Sequence, residues 1–116
     1  MMDIGKEIAQ ALSEYTDEVK EGLQEAQKKT AGETAQRLRK TSPVGATGDY
    51  AKGWAAKKTK DGYVVHNRTD YQLTHLLEKG HAKVNGGRVG GIPHIRPAEE
   101  EAIDAFTQRT EKVIRG

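Results

Sequence analysis

The stretch from Glu78 to Pro97 constrains the fold more than any other. It holds Gly80, Gly86, Gly87, Gly90 and Gly91, so its backbone bends readily but loses much freedom when fixed. Only Ala82, Val84 and Val89 offer apolar surface between Gly80 and Gly91, too little for a core segment. The spacing predicts a loop over residues 80–96. Loops of this length without structure of their own are functional or disordered. We expect this one to take up order only against a partner. Its charge is one-sided: Lys79, Lys83, Arg88 and Arg96 occur with no carboxylate from residue 79 to residue 96.

The chain has 116 residues, the size of one domain, and a single domain over 1–116 is the expected organisation. Hydrophobic residues make up 34%, against roughly 45–50% in ordinary globular chains. One tryptophan, one phenylalanine and four tyrosines furnish a thin core. Other copies or other proteins are therefore expected to cover part of its apolar surface. The absence of cysteine removes disulfides and thiolate metal sites and suits assembly in a reducing cytoplasm. Neither a signal-like apolar region near Met1 nor a membrane-length apolar run is present. A net charge of +2 falls well short of the basic bias of a dedicated nucleic-acid binder.

An α+β fold follows from the periodicities. Ile4, Ile8, Leu12, Tyr15, Val19, Leu23, Ala26, Thr30, Thr34 and Leu38 recur in steps of three and four, predicting a long helix over 3–41. Asp3 is its expected N-cap, and Ser42-Pro43 its stop. Gly22 and Gly32 each weaken it by roughly 1 kcal/mol relative to alanine, so a bend is expected near one of them. Either this helix lies across its own sheet or its N-terminal half projects onto a neighbour. The body, 42–116, begins with a turn region and then an extended segment, Tyr50 to Thr59, containing Trp54. Lys60-Asp61-Gly62 is a tight turn leading to the strand Tyr63–Asn67, which gives a small antiparallel hairpin with Trp54 as core anchor. Thr69 and Gln72 have capping-box spacing, ahead of a short middle helix through Leu73, Leu76 and Leu77. Gly80 ends that helix. Beyond the glycine-rich loop, Pro97 is expected to open a C-terminal amphipathic helix. Glu99, Glu100 and Glu101 suit its first turn, and Ile103, Phe106, Thr110 and Val113 its apolar face. Phe106 is the second expected core anchor.

The chemistry candidates are few. His75, His81, His94 and Glu78 can be assembled into a metal site, but they match no familiar ligand spacing. The plainer expectation is that Glu78, His81 and His94 fix the ends of the loop through hydrogen bonds. Ser13 and Ser42 lie in no nucleophile-elbow pattern. The run Gly86 to Gly91 lacks the strand and the Lys-Ser/Thr ending of a phosphate-binding loop. No cofactor, metal or catalytic residue is therefore expected. The basic residues leave DNA contact through charge open.

Ser42-Pro43-Val44, Thr47-Gly48-Asp49-Tyr50 and Gly53-Trp54 resemble the opening motif of the small tail-component proteins of long-tailed bacteriophages. Tyr71 to His81, Gly86-Gly87-Arg88-Val89 and Pro93 to Glu99 resemble the branch of that family found in phages of Gram-positive hosts. The resemblance covers about residues 41–114. It implies a non-enzymatic virion protein of the neck, acting in tail completion or head–tail joining. It further implies a ring, hexameric or alternatively dodecameric, meeting a head connector or stopper and the tail tube or tail terminator. On that reading the loop is the docking element, with Glu78, His81 and His94 fixing its ends. Lys83 and Arg88 would face a partner or the genome in the channel, and Gly80, Gly86, Gly87, Pro93, Arg96 and Pro97 complete the assembly loop. Tail termination or head closure are the alternatives within the neck. A small DNA-binding protein and a metal-dependent hydrolase are the competitors outside it.

Overall fold

The computed structural model describes residues 2–3, 16–45, 47–60, 62–83 and 85–116. The elements are β1 (Met2–Asp3), α1 (Asp17–Thr41), α2 (Asp49–Lys52), β2 (Trp54–Thr59) and β3 (Gly62–Asn67). A 3-10 turn (Tyr71–Leu73), α3 (Thr74–Lys79), β4 (Gly80–Ala82), β5 (Arg88–Gly90) and α4 (Ile95–Arg115) follow among the described residues. The fold is α+β, as its periodicities predict.

Helix α1 starts where Thr16 leaves extended backbone and its hydroxyl accepts from the Val19 amide at 3.3 Å, an N-cap bond. Asp17 and Glu18 at the start and Arg39 and Lys40 at the end complement the helix dipole. Asp3 is not the N-cap: Met2 and Asp3 pair antiparallel with Val65 and Val64 as a strand. The stripe residues Ile4, Ile8, Leu12 and Tyr15, and Ser13, lie outside the described residues. The helix is unbroken at Gly22 and Gly32. At Gly22 it meets α4 so closely that a Cβ would sit 2.7 Å from Val113 Cγ1; close approach explains this glycine better than bending. Ser42 ends the helix, its N–H bonded to the Leu38 carbonyl at 2.9 Å, with Pro43 beyond.

The main sheet has the order β1-β3-β2, all antiparallel. Trp54 pairs with Asn67 and Thr59 with Gly62, which gives the expected hairpin with Gly62 already in β3; Asp61 of the expected turn lies outside the described residues. The expected strand start at Tyr50 is corrected: residues 49–52 form one helical turn. Gly48 enters that turn at φ 75, a conformation open to glycine, and this buries Tyr50 and Ala51.

The buried face of α1 is made largely of small residues, Ala26, Thr30, Ala31, Thr34 and Ala35, between Leu23 and Leu38. Small side chains let the sheet and α4 both approach it closely. Ala31, Ala35, Leu38, Tyr50, Trp54, Val65 and Ala98 form the core cluster. Trp54 is its anchor as expected: 4% exposed, it donates from Nε1 to Ser42 Oγ at 2.8 Å. Arg39 Nε donates to the Trp54 carbonyl at 2.8 Å. Phe106 is buried, but the face of α4 is set by Ala98, Ala102 and Phe106. Ile103, expected on that face, is 53% exposed. Arg109 ties α4 to α1 through Thr30 Oγ1 at 2.9 Å and the Glu33 carboxylate.

Candidate assembly site

The start of α4 presents backbone N–H groups with no partner inside the helix. They are capped by a residue far away in sequence. Glu78, on α3, accepts from the amides of His94 (2.7 Å) and Ile95 (2.8 Å) through Oε1, and of Arg96 (3.0 Å) through Oε2. A carboxylate here also meets the positive end of the helix dipole. Burial alone would push the Glu78 carboxyl up, but the three amides and the nearby His94 ring outweigh it and hold the pKa below its ordinary 4.5. The sign of the linkage follows. A group with a depressed folded pKa contributes full stability above its unfolded value and loses it as pH falls through the folded one. Acid titration by circular dichroism should therefore show a loss of stability below about pH 4.5 that Glu78→Gln reduces.

His94 joins this cap to the core. It is 2% exposed, with Nδ1 2.6 Å from the Ile92 carbonyl and 3.1 Å from Glu78 Oε1. Both neighbours only accept, so Nδ1 carries the proton. Nε2 lies 2.7 Å from the Tyr50 hydroxyl and, in this tautomer, accepts from it. Burial first, and the charge of Glu78 second, push the Tyr50 hydroxyl up to about 12, keeping it a donor at neutral pH. The Tyr50, Trp54 and His94 rings meet edge to face, with centroids 5.6–6.4 Å apart.

The glycine-rich stretch has structure of its own, contrary to the expectation that it orders only on a partner. β4 and β5 form a hairpin with Gly80 opposite Gly90, His81 opposite Val89 and Ala82 opposite Arg88. The Lys83 amide donates to the Gly87 carbonyl at 3.0 Å, and Gly86 and Gly87 take positive φ. At the root, the Ile92 amide donates to the Leu77 carbonyl at 2.8 Å. Any Cβ at Gly80 would strike the Val89 carbonyl oxygen, and one at Gly91 the Glu78 carbonyl oxygen. The glycines thus permit backbone-to-backbone contact, which their number alone did not reveal.

The structure divides the expected site residues into two groups. Glu78, Gly80, Pro93, His94, Arg96 and Pro97 gather around the hairpin root and the start of α4. His81, Lys83, Gly86, Gly87 and Arg88 lie on the exposed hairpin. His81 and His75 are exposed and do not join His94, so of the two histidines only His94 holds a loop end. Among the described residues, no group of three or more His, Asp and Glu is placed to share a metal ion. Pro97 is the third residue of α4 rather than the first, since Ile95 opens the helix. Its missing N–H still falls among those without an intrahelical partner. Glu99 to Glu101 consequently lie past the helix start, and Glu78 supplies the charge there instead.

The capping box at Thr69 does not form. Thr69 Oγ1 donates to the Asp49 carbonyl at 2.8 Å, and α3 begins at Thr74 after the 3-10 turn. Asn67 organises this corner, a role sequence reasoning missed. Its Nδ2 donates to the Tyr50 carbonyl at 2.7 Å, while Oδ1 accepts from the Thr69 (3.2 Å) and Asp70 (2.8 Å) amides. An Asn followed by Arg-Thr-Asp at a strand end is an Asx-turn signal that could have found it. Tyr50 was missed because its segment reads as extended.

Beside the cap lies a mostly apolar cavity of about 220 Å³. Thr34, Leu38, Trp54, Val65, Asn67, Tyr71, Thr74, Ile95, Ala98 and Glu99 line it.

The half-buried Glu78 and the buried His94 and Tyr50 are thus engaged with one another in a small α+β body that holds out a short basic hairpin. The family follows from comparison. Residues 6–80 match the HK97-gp10-like family model, described as "Bacteriophage HK97-gp10, putative tail-component". The chain belongs to that family of bacteriophage tail components. The match spans α1, the β2–β3 hairpin and α3, and ends at Gly80, where β4 begins. No curated protein and no solved structure gives a significant match.

Proposed function

We propose that this chain is a non-enzymatic neck protein of a tailed phage of a Gram-positive host, completing the tail or joining it to the head. One observation carries this reading beyond family membership. The β4–β5 hairpin buries almost nothing in its own subunit, yet Glu78 and His94 clamp its root to α4. A fold that fixes the orientation of an otherwise unemployed hairpin presents it to something else. The partners on this reading are further copies in a closed ring, a head connector or stopper on one side, and the tail tube or tail terminator on the other. Cyclic closure is the natural outcome of heterologous contacts. Six copies match the usual symmetry of phage tails, and twelve would match a connector. Exposed Lys83 and Arg88 keep a second reading open, weak contact with genomic DNA in the channel, which would weaken steeply with salt.

Electron microscopy of particles made with an early stop codon in this gene tests the proposal. Full heads beside separate tails of normal length are the expected result. Heads that leak DNA would assign the chain to head closure, and overlong tails to tail termination. Intact infectious virions would overturn the neck role altogether.

A further inference from the structure

Two surfaces of this chain are complementary to each other and do not meet within it. The first is a groove. The 220 Å³ cavity exceeds the roughly 150 Å³ that accommodates a benzene ring. It reaches the surface beside Tyr71, 70% exposed, and beside exposed Glu99. Ile95 and Glu99 line it, and Ile103 follows at the same four-residue spacing, so all three share one ridge of α4. Exposed Ile103 extends the apolar strip outward. Of the carboxylates on this stretch of α4, Glu100 pairs with Arg96 and Glu101 with Arg37, which leaves Glu99 on the ridge and Asp104 next to Ile103 without a salt-bridge partner among the described residues.

The second surface is the β4–β5 hairpin with the residues after it. It carries Lys83 and Arg88 together with exposed Val89 and Ile92, and no carboxylate. Among the described residues, Lys83, Arg88, Glu99 and Asp104 form no ion pairs. The groove is apolar with an acidic rim; the hairpin is apolar with basic edges.

We propose that the hairpin of one copy docks in the α4 groove of the next. Val89 and Ile92 cover the apolar strip beside Tyr71, and Lys83 and Arg88 meet Glu99 and Asp104. The contact is heterologous, since hairpin and groove are different surfaces, and it therefore propagates from copy to copy until a ring closes. It rests on the ring assembly proposed above and names the surfaces that make it. The rim charges confer orientation and salt sensitivity, and the covered apolar groove confers adhesion.

Sedimentation and native mass spectrometry of the purified chain, up to millimolar concentration, test this. Lys83→Glu with Arg88→Glu should lower the self-association constant at least tenfold, and Glu99→Lys with Asp104→Lys should do the same. Circular dichroism verifies that these exposed substitutions leave the fold intact. Mixing the two variants should restore assembly, because each then offers the other a complementary hairpin and groove. All four changes in one chain should also restore it. A wild-type chain that stays monomeric at millimolar concentration overturns the interface. So do reversals that assemble like wild type, or a mixture that fails to recover. The neck role is judged separately: stop-codon particles with unjoined heads and tails keep that role even when the interface fails.

Discussion

Trp54→Ala should lower the stability of the chain by about 3–5 kcal/mol, much of what a domain of this size possesses. The indole is 4% exposed and is the largest group in a core cluster otherwise built of three alanines, one leucine, one valine and Tyr50. Ala31, Ala35 and Ala98 are too short to move into the space it would leave. That space would open into the existing 220 Å³ cavity, which Trp54 already lines. The substitution also strands the Ser42 hydroxyl, which now accepts from the indole Nε1 at 2.8 Å. Trp54→Phe should cost less but still about 1–2 kcal/mol, since the ring volume is partly kept while Ser42 loses its donor. Urea unfolding followed by circular dichroism reads both values. A loss below 1 kcal/mol for the alanine variant would mean the core does not depend on this residue.

Glu78→Ala should cost about 2–4 kcal/mol, because one carboxylate accepts three amide hydrogen bonds at the start of α4 and no neighbouring side chain replaces it. The effect should also be local. Hydrogen exchange at the amides of His94, Ile95 and Arg96 should accelerate more than at the β2–β3 amides. Glu78→Gln retains one acceptor oxygen without the charge and should fall between wild type and the alanine variant. Uniform acceleration across the chain would show that Glu78 supports only global stability. Unchanged exchange at the three amides would remove it as the cap.

What could be read from the sequence was what neighbouring residues decide. The C-terminal helix, the β2–β3 hairpin, the stop at Ser42-Pro43 and the burial of Trp54 all rest on local pattern. The features missed depend on contacts between distant segments. Glu78 lies sixteen to eighteen residues before the amides it caps, and nothing local marks it as a helix cap. Glu78 is expected to fix a loop end through hydrogen bonds, and it does so as the cap of α4. Tyr50 sits in a segment that reads as a strand, and only the helical turn after Gly48 directs it to His94. Asp3 resembled a helix cap because a periodic apolar stripe followed it, whereas its backbone pairs with Val64. The β4–β5 hairpin was obscured for a different reason: glycine signals freedom in the unfolded chain and, equally, close packing in the folded one.

At the root of that hairpin main chain meets main chain, with Gly80 and Gly91 pressed against the carbonyls of Val89 and Glu78. Aim and content are thereby decoupled. Replacement of the exposed side chains Lys83 and Arg88 alters what the hairpin offers without altering where it points. Change at the two root glycines has no such freedom, because it redirects the whole arm.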